Sequence, residues 1–103
     1  MKIVVVSQRV EYFPDRDENR DAIDQTLISF LLQTGFNPVP IPNKLIHLDK
    51  RIDANQAFNS WMASIKPHAF VLSGGNNIGE NQGRDITERF ILDYASLHKK
   101  PCL

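Results

Sequence analysis

Ala69-Phe70-Val71-Leu72-Ser73-Gly74-Gly75-Asn76-Asn77 is the stretch from which the rest of the chain is best read. Four apolar residues in a row, with no polar alternation, suit a short strand buried on both faces, as in a parallel sheet. The strand runs straight into two glycines, which let the backbone turn sharply and let a ligand approach closely. A backbone N–H freed at such a turn can stabilise an oxyanion, and an ordinary βα turn without chemistry has the same appearance. A Walker loop is excluded because no Gly-Lys-Ser/Thr follows. A dinucleotide fingerprint is excluded by the glycine spacing and by the lack of glycine in the first βα turn.

Outward from this strand the chain alternates. Ile3 to Val6 is a continuous β-branched run, hence a second buried strand. A charged loop is expected from about Gln8 to Arg20, and it is long for a βα connection. A helix follows, capped by Asp21, with Ile23, Leu27, Phe30 and Leu31 on one face and Gly35 just past its end. Phe36 to Ile41 reads as a strand, and Pro38 and Pro40 put it at an edge. Asp53 caps a helix whose face carries Phe58, Trp61 and Ile65, and Pro67 stops it. A last helix is expected to start near Asp85, with Ile86, Phe90, Ile91, Tyr94 and Leu97 on its buried side. Pro101-Cys102-Leu103 then reads as the opening of a fourth strand. The order β-α-β-α-β-α-β predicts an α/β protein, a parallel sheet flanked by helices in one domain over 1–103. Ligands of such sheets bind beyond the carboxyl ends of the strands, where the loops 7–20, 42–51 and 73–84 would meet.

Composition narrows the function. Twelve basic and twelve acidic residues give zero net charge among 103 residues. Nucleic acid and anionic membrane surfaces are therefore not expected as partners, since both call for clustered Lys and Arg. The single cysteine allows no internal disulfide, and no signal-peptide core or 20-residue apolar stretch is present, so a soluble cytoplasmic protein is expected. His47, His68 and His98 make no metal-ligand spacing, and neither metal nor cofactor is expected.

A wider window gives a resemblance. Phe70 to Asn77, then Gly83-Arg84-Asp85 and Glu88, then Lys100-Pro101-Cys102-Leu103 resembles the class I glutamine amidotransferase-like family, and within it the γ-glutamyl hydrolase branch. Val6 to Val10, Arg20 to Gln25 and Pro40 to Asn43 extend the likeness over nearly the whole chain. The resemblance implies the N-terminal part of a flavodoxin-like α/β fold, and a hydrolase that cleaves a γ-glutamyl amide or glutamine through a cysteine thioester. It implies that Gly75, with Gly74 as its turn partner, supplies an oxyanion-hole N–H. It also implies that the nucleophile elbow and a later His-x-Glu pair lie beyond Leu103. The 103 residues alone are then expected to be inactive, and to form homo-oligomers through surfaces meant for the missing half.

Four further readings concern single residues. Asn76 and Asn77 follow the hole and stand where substrate would be. Gln8 and Arg9 end the first strand at the same crevice. Arg9 would bind a carboxylate or phosphate there, or else pair with Asp15, Asp17 or Glu18. Cys102 begins its strand rather than ending it, so it reads as a small buried hydrophobe and not as the nucleophile. Asp85 and Glu88 read as a capping box. The rival function is a non-catalytic flavodoxin-like binding module. Against it, Ser7, Gln8 and Arg9 stand where a receiver would carry acids.

Overall fold

The computed structural model describes residues 2–46, 53–73 and 82–103, with the backbone alone for Gln82 and Gly83. Gly74, Gly75, Asn76, Asn77 and His47 lie outside the described residues.

The protein is α/β. Strand β1 (Lys2–Val6) is central in a three-stranded parallel sheet, between β4 (Phe36–Pro40) and β5 (Ala69–Val71). Beyond β5 the chain pairs once more, since Cys102 forms a parallel bridge to Phe70. Phe70 N–H donates to Pro101 O at 2.9 Å, and Leu72 N–H to Leu103 O at 2.7 Å. The expected strand opening at Pro101 is therefore present.

Alternation along β1 divides the core in two. Val5, with Phe70, faces Phe58 and Met62 of α2 (Ala54–Ile65) and Ile91 and Ala95 of α3 (Gln82–Leu97). Val4 and Val6 face Leu31 and Leu27 of α1 (Gln25–Gln33). The sheet thus has α1 on one face and α2 with α3 on the other. No helix among the described residues is long and apolar enough to cross a membrane.

The prolines of β4 fit its edge position for a simple reason. Ile41 N–H donates inward to Val6 O at 3.0 Å. Alternate N–H groups of a strand point to opposite sides, so the nitrogens of Pro38 and Pro40 face outward, where the ladder needs no donor.

Four local expectations are corrected. The segment 8–20 is not a plain loop, because β2 (Arg9–Phe13) and β3 (Glu18–Ala22) form an antiparallel hairpin around a short 3-10 turn. The hairpin is held by its backbone ladder and by Arg20 of β3 lying 4.8 Å over the Phe13 ring of β2, while Arg20 also pairs with Glu18 on its own strand. The cap of α1 is Asp24, whose carboxylate accepts from Thr26 N–H at 2.8 Å, because β3 runs on through Asp21. Helix α3 begins at Gln82, so Asp85 lies inside its first turn and does not cap it. Its buried stripe is Arg84, Thr87, Ile91 and Ala95, while Ile86 and Leu97 are exposed; Phe30 of α1 is exposed as well. Asp53 caps α2 as expected, accepting from Asn55 N–H at 3.0 Å.

Candidate functional site

Strand β1 leaves the sheet through α1 toward β4, and β5 leaves through α3 toward the strand of Cys102. The chain diverges between the exits of β1 and β5, which is where open α/β sheets form their ligand crevice. Two serines stand there, Ser7 after β1 and Ser73 after β5, and both are buried.

They hold each other. Ser7 N–H donates to Val71 O at 3.0 Å, carrying the β1–β5 ladder one residue further. Ser73 N–H donates to Ser7 Oγ at 2.9 Å, and Ser73 Oγ donates to Ser7 O at 2.6 Å. Ser7 Oγ in turn donates to Glu88 Oε2 at 3.0 Å. Arg84, one turn earlier on α3, pairs with the same Glu88 oxygen at 3.2 Å and also donates to Ser73 O. Two strand ends and one helix are thus tied by one guanidinium and one carboxylate.

Burying this pair costs desolvation of two charges, repaid only when each is hydrogen-bonded in good geometry. Arg84 and Glu88 side chains are 6% and 18% exposed, and Glu88 accepts from both Ser7 and Arg84. Glu88 therefore braces the sheet instead of closing a capping box.

A second knot lies beside the first. Asp21, at the end of the hairpin, accepts from Asn43 N–H at 3.1 Å and from Asn43 Nδ2 at 2.9 Å. Asn43 Nδ2 also donates to Gln8 O, and Gln8 Nε2 donates to Ile41 O at 2.9 Å. The root of the hairpin is thereby fastened to the exit of β4. The amide of Gln8 makes this fastening, and the guanidinium of Arg9 is half exposed and paired with Glu11 on its own strand. The expected alternatives for Arg9, Asp15, Asp17 and Glu18, lie further along the hairpin; Tyr12 takes Asp17, and Arg20 takes Glu18.

No family model, curated protein or solved structure matches this chain.

Cys102 packs against the core between Phe70 and α3 and is partly buried. Burial pushes its thiol up, and the nearby Glu88 carboxylate adds to the rise. Both effects keep it protonated at neutral pH, the opposite of what a thiolate nucleophile needs. Among the described residues no cluster of His, Cys, Asp or Glu could hold a metal.

The sequence groups Arg84, Asp85 and Glu88 at a helix start, but no spacing in it groups Ser7, Ser73, Asp21 and Asn43. One signal was available. Each of the buried strands β1 and β5 is followed closely by a serine, a small hydroxyl where the apolar run stops.

Proposed function

We propose that these residues are the N-terminal part of a glutamine amidotransferase-like hydrolase that cleaves a γ-glutamyl amide. The observation that carries this reading is the clamp on Ser73, the residue before Gly74 and Gly75. Ser7, Arg84 and, through them, Glu88 fix Ser73 at the point where β1 and β5 diverge. An oxyanion hole works through donors that are in place before the charge develops, so a rigid base for the Gly74-Gly75 turn is what such a hole requires.

On this reading a flavodoxin-like sheet continues past Cys102, and the nucleophilic cysteine comes after Leu103. Its thiolate attacks the γ-carbonyl carbon of the bound amide or of glutamine. The Gly75 N–H holds the resulting oxyanion. The amine leaves with a proton, and water then hydrolyses the glutamyl thioester. Asn76, Gln8 and Arg9 are the residues this reading assigns to substrate contact, Arg9 by exchanging its Glu11 partner for a substrate carboxylate. The partly buried Cys102 contributes no nucleophile, in keeping with its raised thiol.

The test is turnover of glutamine and of γ-glutamyl amides by the protein read through its frame beyond Leu103. Gly75→Pro deletes the N–H in question and is expected to lower kcat by about 10²–10³. The 103 residues alone are expected to give no turnover and to self-associate in gel filtration. A frame without a following cysteine elbow would end the hydrolase reading and leave the non-catalytic α/β binding module.

A further inference from the structure

The helical layer carries a second feature, built from residues other than those of the clamp. A cavity of ≈ 230 Å³ opens on the seam between α2 and α3. Asn55, Phe58 and Asn59 line it from α2, and Phe90, Asp93 and Tyr94 from α3.

Helical spacing puts these side chains there. Asn55, Phe58 and Asn59 sit at i, i+3 and i+4 on one helix, and Phe90, Asp93 and Tyr94 repeat the same spacing on the other. Phe58 is the anchor. Its ring meets Phe90 at 5.3 Å and 66°, and Tyr94 at 5.7 Å and 76°, both edge-on. Tyr94 is itself braced edge-on against Phe70 of β5 at 5.8 Å. The aromatic wall is therefore tied to the sheet rather than free to collapse into the space. Phe90 and Tyr94 are each only partly buried.

The polar part of the lining is all acceptor-rich or neutral. Among the described residues it comprises one carboxylate, Asp93, and the amides of Asn55 and Asn59, with no basic side chain. Tyr94 has one face against the His98 ring at 4.1 Å; an open ring face attracts cations through its quadrupole, and a carboxylate does so by charge. Among the described lining residues an anion would meet the Asp93 carboxylate and no basic group. For size, a dry cavity of about 150 Å³ takes up benzene. The space here admits one ring with a short charged tail.

We propose that this seam is a binding site for a small organic cation, an ammonium group carried on an aryl or short alkyl body. The ring packs on Phe90 and Tyr94, and the ammonium lies toward Asp93 and the Asn55 and Asn59 amides. This is independent of the hydrolase reading, since it uses neither the strand exits nor any residue of the clamp.

The experiment is an amide-detected NMR titration of the protein with phenethylammonium and, in parallel, with 2-phenylethanol as its neutral counterpart of similar shape. Shifts confined to residues 55–59 and 90–97 are expected, with the cation binding about 5-fold more tightly than the alcohol. Asp93→Asn is expected to remove that difference; Asp93 is exposed, so the core is untouched. Phe90→Leu is expected to weaken both ligands. Equal affinity for the two probes, an unchanged preference in Asp93→Asn, shifts centred elsewhere, or no shift up to about 1 mM, a binding energy near 4 kcal/mol, would each overturn the proposal.

Discussion

Ser7 Oγ donates a 3.0 Å hydrogen bond to Glu88 Oε2 across 81 residues of sequence. It links the exit of the central strand to the buried face of the last helix. The same hydroxyl accepts from Ser73 N–H, so one small side chain serves three elements.

Ser7→Ala removes a donor from Glu88 and leaves the Ser73 N–H without its acceptor. The site is closed to water, Ser7 being fully buried. A loss of about 1–3 kcal/mol is expected in urea unfolding, with the slope of the transition unchanged. A loss below a few tenths would mean that the hydroxyl is dispensable.

Glu88→Ala should cost more than Ser7→Ala, because it removes the carboxylate that both Ser7 and the buried Arg84 guanidinium donate to. About 3–5 kcal/mol is expected for breaking such a pair from one side. Replacing both partners together, as Arg84→Met with Glu88→Leu, should recover much of that loss. Thermal denaturation of the three variants checks the order.

Cys102 should alkylate slowly when the protein is folded. Its thiol is raised by burial first and by Glu88 second. The thiolate attacks iodoacetamide, so at pH 8 the folded chain should react more slowly than the urea-unfolded chain, and the gap should narrow only as pH rises through the raised folded-state pKa. The linkage has a definite sign. A folded-state pKa above the unfolded one adds stability at pH values below the unfolded pKa, and this is lost as pH rises through the folded one. A fast, pH-insensitive reaction at pH 7 would contradict this environment.

Asp24→Ala is expected to destabilise α1 by about 1 kcal/mol through loss of its cap on Thr26 N–H. Asp21→Ala should leave α1 helicity intact and instead loosen the hairpin root from Asn43. Amide hydrogen exchange separates the two, at residues 26–28 for the first and at Asn43 for the second.

Gly35→Ala tests backbone conformation with no steric confusion. Gly35 has φ +92° after α1, and a Cβ placed there would meet nothing within 4 Å. A cost of about 1 kcal/mol is expected from the left-handed conformation alone, read as a lower midpoint in urea.

Residue pattern alone is enough to read the parallel strands and the three helices between them. Val4-Val5-Val6 and Ala69-Phe70-Val71 have no polar face, so they had to be buried on both sides. Pro38 and Pro40 could stand only on an edge, and Asp53 and Gly35 marked helix ends by local geometry alone. These readings succeed because periodicity, caps and proline depend on near neighbours. The hairpin was hidden because β3, Glu18-Asn19-Arg20-Asp21-Ala22, carries no hydrophobic pattern and exists only through pairing with β2. The true face of α3 was hidden for a related reason. Apolar residues lie around much of the helix, and the stripe that turns inward begins with Arg84 because its first turns cover polar strand ends. Tertiary structure alone decided that Ser7, Ser73, Arg84 and Glu88 meet, since charges and hydroxyls 66 and 81 residues apart leave no periodic trace in the sequence.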